Sequence, residues 1–296
     1  MGCDLSVIIV NWNTRDLLCP CIKSIKTHTK RISFEIIVID NASSDGSPEA
    51  VEKRFPEVTL IKNKDNRGFG QANNQGLEKA KGKHILFLNS DVVIKENCLD
   101  DMFDFMERNP EVGASSCKLT FPDGNLQHSC RKFPDFLTFF LLLLGLRYIF
   151  PNMKIFKKYL MLDWDHSDER EVDQIMGSFM FIRKAVLDEV GHFDPIYWMY
   201  FEEVDLCLRI KKKGWKIMHF PHVSAIHFLS KSAEQWEEMR IMNEYHKSLL
   251  KYFKKNKRSY EYCILFALHK IKYLLFFPFL KRIKKNKAHR NHMHLS

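Results

Sequence analysis

The stretch HILFLNSDVVI, His84 to Ile94, joins a buried strand to a polar interruption. Its first part, Ile85 to Leu88, is a continuous apolar run, which is typical of a strand buried on both faces of a parallel sheet. An Asn-Ser-Asp triplet ending at Asp91 breaks the run, which then resumes with three aliphatic residues. A carboxylate between two apolar runs is costly unless a partner compensates its charge. The position of Asp91 therefore indicates that it binds something.

Around this stretch, apolar strands alternate with helical segments through the first half of the chain. This alternation predicts an α/β fold with a Rossmann-like, mostly parallel sheet flanked by helices. Ligands of such sheets bind beyond the carboxyl ends of the strands. Three predicted strands end there in polar residues, at Asn11, Asp40 and Asn89. Together with Asp91 they predict a polar ligand site along one edge of the sheet.

Composition and missing motifs exclude several classes of protein. The chain has 296 residues and is 45% hydrophobic, which is ordinary for one large or two small globular domains. No GxGxxG follows the first strand and no GxxxxGK[ST] occurs, which argues against NAD-dependent dehydrogenases and P-loop proteins. The eight cysteines are scattered without a CxxC pair, as is typical of reduced thiols in a cytosolic protein.

Acidic residues and a histidine stand out in the second half. Glu202 and Glu203 begin a predicted helix directly after an aromatic run, 197–201. The helix dipole stabilises acids at a helix start, which explains the acids but not the aromatic run before them. For Asp205 a structural and a functional role both stay open. His227 lies in a predicted strand with apolar neighbours. Taken alone, such a histidine is more often a core residue than a ligand.

The net charge of +10 is concentrated at the C-terminal end. Residues 251–296 hold 13 Lys and Arg and a single acidic residue, interleaved with the apolar runs 263–268 and 273–280. These runs fall short of the ~18 uninterrupted residues of a spanning helix. Apolar segments with basic flanks suit an anionic membrane surface, whereas the clustered aromatics argue against nucleic acid. A solvated tail is the alternative.

A second apolar run, FLTFFLLLLGL at 136–146, is also too short to cross a bilayer. It predicts either burial in the core or contact with an apolar acceptor or the bilayer surface.

Seven short motifs follow one another along residues 4–232. They are VIIVNWNT (7–14), IIVIDNASSDGS (36–47), NRGFGQANNQG (66–76), FLNSD (87–91), GSFMFIRK (177–184), YFEEVDLCLRIKKKGWKI (200–217) and AIHF (225–228). In this order they resemble the family 2 glycosyltransferases with a GT-A fold, in particular the rhamnosyltransferase-like branch of cell-surface polysaccharide assembly. Each motif alone is weak, but the ordered set is a strong signal.

The resemblance implies an inverting transfer of a sugar from a nucleotide diphosphate donor to a hydroxyl group of a glycan or polyprenyl-linked acceptor. Rhamnose from dTDP-rhamnose is the first expectation. A UDP-hexose or UDP-N-acetylhexosamine donor is the alternative, as is a non-catalytic nucleotide-sugar-binding scaffold protein. A divalent cation, Mg²⁺ or Mn²⁺, would neutralise charge on the leaving diphosphate. The expected location is the cytoplasmic face of the cell membrane, with no nucleic acid partner.

The resemblance also implies residue roles. Asp91 and His227 would ligate the metal, Glu203 would be the catalytic base, and Glu202 would position the acceptor. The family's usual pair is Glu-Asp, so Glu-Glu leaves the order of these two roles open. The residues expected to bind the nucleotide sugar are Asn11, Asp40, Arg67, Asn73, Asn74, Asn89 and Asp91. The residues expected on the acceptor side are Gly177, Ser178 and Trp198.

The expected organisation is a GT-A domain followed by an extension. The domain would occupy 1–232, with a nucleotide-binding half at about 1–118 and an acceptor half at about 119–232. Residues 233–296 would form a helical, basic, membrane-associating extension.

Overall fold

The structure, a computed structural model, describes residues 2–228 and 238–272. The chain divides into two compact units. Their bounds are Met1–Phe133 with Lys157–Ser248 for the first unit, and Pro134–Phe156 with Leu249–Ser296 for the second. The predicted domain boundary between 232 and 233 lies outside the described residues, and it stays a prediction, as does the boundary between the halves near 118.

The first part of the chain alternates strands with helices as expected. Its elements are β1 (Leu5–Asn11), α1 (Arg15–His28), β2 (Phe34–Asp40), α2 (Ser47–Arg54), β3 (Thr59–Lys62), α3 (Phe69–Leu77), β4 (His84–Asn89), β5 (Val92–Ile94), α4 (Cys98–Arg108) and β6 (Val112–Thr120). Helix α1 continues through Pro20.

The second part contains shorter strands and more helix. Its elements are β7 (Leu126–Gln127), β8 (Cys130–Arg131), α5 (Phe136–Leu143), α6 (Leu146–Ile149), α7 (Lys154–Leu160), β9 (Arg170–Glu171), β10 (Gln174–Ile175), β11 (Phe179–Arg183), α8 (Lys184–Val190), α9 (Glu202–Lys212), β12 (Lys216–His227) and α10 (Glu238–Asn256). Residues 259–272 are also helical. The predicted strand before His227 is the end of the longer strand β12.

One large sheet organises the first unit. Its strands run in the order β3-β2-β1-β4-β11-β6-β12-β5, with β7 beside β6 and β9 beside β12. The long ladders β1–β2, β1–β4 and β6–β12 are parallel, whereas β11 lies antiparallel between β4 and β6. A separate pair joins β8 to β10. The expected mostly parallel α/β sheet flanked by helices is confirmed.

Apolar residues cover both faces of this sheet, which explains the continuous hydrophobic runs. Successive side chains of a strand point to opposite faces. Val7 of β1 accordingly packs with α1 and α4, and Ile8 packs with α3, α8 and α9 on the other face. Most positions of the central strands β1, β2 and β4 therefore carry apolar residues, and each of these strands ends in a polar residue.

The polar strand ends meet at one edge of the sheet, as predicted. Asn11 stands opposite Asp40 in the parallel ladder, and Val10 stands opposite Asn89. The start of β11 meets the same edge, because the backbone N–H of Asn89 donates to the carbonyl of Ser178 at 3.0 Å.

The second unit packs α5 against the end of α10 and the helical residues beyond it. Asp135 caps α5 by accepting from the backbone N–H of Thr138 at 2.9 Å. Within the unit, the ring of Phe139 lies 5.9 Å from that of Phe253 between centroids. No helix among the described residues is long and apolar enough to cross a membrane.

Hydrogen bonds to Asp100 stabilise the loop between α1 and β2. Its buried carboxylate accepts from the backbone N–H groups of Lys30, Arg31 and Ile32 at 2.8, 2.9 and 3.2 Å. The next residue, Asp101, instead pairs with Arg31 at the surface, where both side chains are about half exposed.

We predict that Asp100→Ala lowers the free energy of unfolding by roughly 2–4 kcal/mol, because buried N–H groups lose a charged acceptor. The matched variant Asp101→Ala should cost less than about 1 kcal/mol, since it removes only an exposed ion pair. Urea denaturation of the two variants measures both losses, and equal losses would contradict this account of the connection.

Candidate functional site

A cleft of about 240 Å³ opens at the polar edge of the sheet. Its walls come from the end of β1, the start of α3, the residues after β4, the residues before β11, the start of α9 and the end of β12. All of these elements belong to the first unit. The cleft therefore lies where ligands of parallel sheets bind.

Asp91 and His227 face each other in this cleft. They are 5% and 1% exposed, and Nε2 of His227 lies 3.2 Å from Oδ1 of Asp91. The other ring nitrogen, Nδ1, lies 2.7 Å from Oε1 of Gln127. An amide oxygen only accepts, so Nδ1 donates to Gln127, and Nε2 is the ring nitrogen that faces Asp91. Two electron-rich atoms at this distance repel unless a proton or a cation lies with them, so the pair suits a cation.

Backbone pairing holds these two residues together. Strand β12 runs antiparallel to β5 and sets His227 opposite Val92. Beyond this pair, the backbone N–H of Phe228 donates to the carbonyl oxygen of Asp91 at 2.9 Å. The side chain of Asn89 also reaches the ring, with Nδ2 3.4 Å from Nε2 of His227. The polar interruption after β4 is thus positioned by the last strand of the sheet.

Glu202 and Glu203, at the start of α9, place a pair of carboxylates in the same cleft. Glu202 is 4% exposed and Glu203 is partly exposed. Within the described part of the chain, Oε2 of each lacks a hydrogen-bond partner. Burial and the charge of Glu203 raise the pKa of Glu202 well above its usual range. Burial also raises the pKa of Glu203, although the charge of Arg131 opposes this shift.

The turn before α9 is strained. Tyr200 and Phe201 have φ angles of +67° and +68°, in the left-handed region that residues with a Cβ rarely adopt. Both rings pack against Tyr245, at 5.7 and 5.3 Å between centroids, and Ser248 donates to the carbonyl of Met199 at 2.7 Å. This packing stabilises the strained turn, and the turn places two carboxylates in one cleft. Strained backbone of this kind is common at functional sites.

Asn11 and Asp40 lie together at the same edge but are fully buried and do not line the cleft. Asn11 donates to Oδ1 of Asp40 at 2.9 Å, and the backbone N–H of Ser43 donates to Oδ2 at 2.9 Å. The hydroxyl of Thr14 donates to the amide oxygen of Asn11 at 2.7 Å. The carboxylate of Asp40 is therefore rigidly oriented.

Three further predicted donor-binding residues lie away from the cleft walls. Arg67 is at the surface, 3.8 Å from Asp65. The amide of Asn74 bonds to both backbone groups of Phe193, at 2.8 and 3.1 Å. Asn73 is buried and donates to a backbone carbonyl of its own helix, α3. Structural partners thus occupy Asn74, whereas Oδ1 of Asn73 has no hydrogen-bond partner among the described residues. The expected contacts of these three residues with a donor stay predictions.

The predicted acceptor-side residues differ in position, because two line the cleft and one does not. Gly177 and Ser178 line the cleft, and the buried hydroxyl of Ser178 has no hydrogen-bond partner among the described residues. Trp198 instead fastens the loop before α3, because its carbonyl accepts from the backbone N–H of Phe69 at 2.9 Å and its indole donates to Asn66. Asp205 lies outside the cleft walls and pairs with Arg209 at 2.9 Å.

The sequence alone did not single out Gln127, Arg131, Trp12 or Tyr200 as site residues. Gln127 and Arg131 lie in two-residue strands that show no periodicity, so no sequence pattern could have marked them. Trp12 and Tyr200 line the cleft and lie within the quoted motifs, which is the signal that could have identified them.

Three comparisons bear on this site. The model of the family described as Glycosyl transferase family 2 matches residues 6–191. The chain is 28% identical over 238 residues to N-acetylglucosaminyl-diphospho-decaprenol L-rhamnosyltransferase of Mycobacterium tuberculosis, with 75% of each chain covered. It is 33% identical over 172 residues to Rhamnosyltransferase WbbL of Escherichia coli K12, covering 54% of this chain and 61% of that protein.

Among solved structures, the chain is similar to mannosyltransferase PcManGT from Pyrobaculum calidifontis, solved in complex with GDP-Man and Mn²⁺. The TM-score is 0.58 at 19% identity, covering 93% of this chain and 70% of that chain. A likeness at this identity concerns the fold alone. Together with the matching family model, it confirms the expected GT-A fold.

Proposed function

The chain belongs to glycosyl transferase family 2, and on that premise we propose that it transfers rhamnose from dTDP-rhamnose to a hydroxyl group of a lipid-linked glycan in cell-surface polysaccharide assembly. The observation that carries the proposal is the cleft in which Asp91 and His227 face each other and in which two carboxylates, Glu202 and Glu203, lack partners for one oxygen each among the described residues. The names of the mycobacterial and Escherichia coli relatives support rhamnose as the sugar.

A divalent cation fits the residues of this cleft. Nε2 of His227 and Oδ1 of Asp91 approach to 3.2 Å, and the hydrogen bond from Nδ1 to Gln127 leaves Nε2 as the ring nitrogen that can bind a metal. When bound, the cation would neutralise the charge that develops on the diphosphate leaving group. A ligand set of one nitrogen and one oxygen favours Mn²⁺ over Mg²⁺.

Glu203 is the proposed catalytic base. Its carboxylate takes the proton of the acceptor hydroxyl as that oxygen bonds to the anomeric carbon and the bond from this carbon to the donor phosphate breaks. One displacement of this kind inverts the anomeric centre and needs no covalent intermediate on the protein. Glu203 is more accessible than Glu202 and lies beside Gly177, where a Cβ would be 3.7 Å from its own. Glu202 then positions the acceptor.

The donor's base would bind near Asp40, whose carboxylate Asn11 and Ser43 hold in a single orientation. A carboxylate so held accepts the N3–H of a thymine or uracil ring, which suits a dTDP or UDP donor. Asn89 and Asp91, at the end of β4, would face the diphosphate.

The second unit supports attachment to a membrane surface. The apolar run that begins α5 buries Phe139 and Leu143, but Tyr148, Ile149 and Phe150 just beyond it are 86%, 66% and 56% exposed. Arg147 of α6 and Lys154 of α7 are basic residues of the same unit. Exposed apolar side chains next to basic residues suit an anionic bilayer surface, where a lipid-linked acceptor would lie. The basic residues from 273 onward, which prompted the same expectation, lie outside the described part.

Binding and transfer with a panel of donors test the proposal. We expect dTDP-rhamnose with Mn²⁺ to raise the Tm more than UDP-glucose or UDP-N-acetylglucosamine does, because a bound ligand stabilises the folded state. Asp91→Asn and His227→Ala should lose the Mn²⁺-dependent part of the shift. Gln127→Leu should lower the affinity for Mn²⁺ roughly 10–100-fold.

His222→Ala is the matched control, since His222 is an exposed histidine of the same strand. Absence of transfer from every donor would overturn the proposed function. Unchanged Mn²⁺ dependence in His227→Ala would instead remove only the metal assignment.

Glu203→Gln should lower kcat by ~10²–10⁴ with donor binding unchanged, because the amide cannot take the proton. The wild-type rate should rise with pH through the raised pKa of the carboxylate pair and lose this rise in the variant. Steady-state kinetics across pH measure both effects. A larger loss in Glu202→Gln would exchange the two roles.

Stability distinguishes this chemical effect from damage to the fold. A raised pKa means that the folded state holds protons that the unfolded state has released, so the free energy of unfolding falls as pH rises above the usual pKa of glutamate. Glu202→Gln should therefore be more stable than wild type at about pH 8 but not at about pH 5. Urea denaturation at both pH values measures this.

We expect Ile149→Asn combined with Phe150→Asn to weaken binding to anionic vesicles several-fold while transfer to a short water-soluble acceptor persists. The control is Ile196→Asn, which removes a side chain 42% exposed in the first unit. Vesicle co-sedimentation measures the binding. Equal binding by the double variant and wild type would show that these residues do not contact the bilayer.

A further inference from the structure

A second cluster of metal-binding side chains lies outside the cleft. Cys130 of β8, His219 of β12 and His166 in the loop after α7 are all fully buried in the first unit. One ligand atom from each lies within 4.8 Å of the others. None of the three lines the cleft, and their burial keeps substrate away, so the proposed transferase chemistry does not use them.

The spacing of this cluster suits a tetrahedral ion. Sγ of Cys130 lies 3.8 Å from Nδ1 of His219. Metal–ligand distances of zinc place a thiolate sulfur and an imidazole nitrogen about 3.6 Å apart at a tetrahedral angle. The pair would therefore need to move by only a few tenths of an ångström to share an ion.

His166 is hard to explain without a ligand. It is 0% exposed, and neither ring nitrogen has a hydrogen-bond partner among the described residues. Leaving two buried polar atoms unpaired costs free energy that ordinary core residues avoid. Its φ of +55° adds backbone strain, and its ring stacks on Trp164 at 4.1 Å, within reach of the other two residues. A bound ion would use the lone pair that the protein leaves unused.

His219 is already oriented for binding. Its Nε2 lies 3.3 Å from the backbone carbonyl of His166 and donates to it, which leaves the lone pair of Nδ1 facing Cys130. Histidine ligands of protein metal sites commonly donate their second N–H in this way.

We propose that Cys130, His166 and His219 bind a structural Zn²⁺ ion. One thiolate and two imidazoles are the ligands that zinc prefers, and a buried, closed site is typical of structural zinc. A water molecule or His128, whose ring centroid lies 5.3 Å from that of His166, would complete the four ligands. The ion would join the loop after α7 to β8 and to β12, the strand that ends at His227.

The site is buried, so the ion would enter during folding, and the test uses full-length protein from cells grown with Co²⁺ in place of zinc. Wild type should show a thiolate-to-cobalt charge-transfer band. Cys130→Ser should lose the band and His166→Gln should weaken it. Two control variants should keep the band. Cys98→Ser removes another buried thiol, and His227→Ala removes a proposed ligand of the cation in the cleft. Protein from ordinary medium should contain zinc in equimolar amount by mass spectrometry.

A wild-type protein without this band and without zinc would overturn the proposal. So would a band that persists in Cys130→Ser. If Cys130→Ser is insoluble, His166→Gln decides, since an unchanged band in that variant excludes His166 as a ligand.

Discussion

The close approach of Asp91 and His227 is the constraint on which the arrangement of the cleft depends. A carboxylate 5% exposed and an imidazole nitrogen 1% exposed lie 3.2 Å apart. Neither would be stable in an apolar interior without compensation. The pairing of β5 with β12 and the bond from Gln127 hold them in place. The sheet therefore ends in a polar pair that only a proton or a cation completes.

Several energetically costly features of the structure lie in the same cleft as this pair. Two left-handed residues precede α9, two carboxylates with raised pKa begin it, and the hydroxyl of Ser178 is buried without a partner in the described part of the chain. Elsewhere the sheet follows the ordinary rules of apolar burial on two faces. Local violations of these rules are expected where a protein binds or transforms a ligand. Their grouping supports the proposed active site more strongly than any single residue does.

Strand β12 links two different kinds of chemistry. His227 at its end meets a carboxylate in a cleft, which leaves room for phosphate oxygens, whereas His219 meets a thiol in a closed interior. Hard and soft ligand sets select different metals, so the same strand would hold an exchangeable cation at one position and a permanent one at the other.

Local patterns determined the strands and the acidic pair. Continuous apolar runs predicted β1, β2 and β4 and the polar residues at their ends, because a strand buried on both faces must be apolar until it leaves the core. The structural roles of Asn74 and Trp198 could not be predicted from local patterns, because their hydrogen-bond partners belong to distant segments. Gln127 and Cys130 meet histidines 100 and 89 residues away. The sequence alone thus determined where polar groups leave the core, but only the tertiary structure decided which of them meet, because that depends on strand order and register.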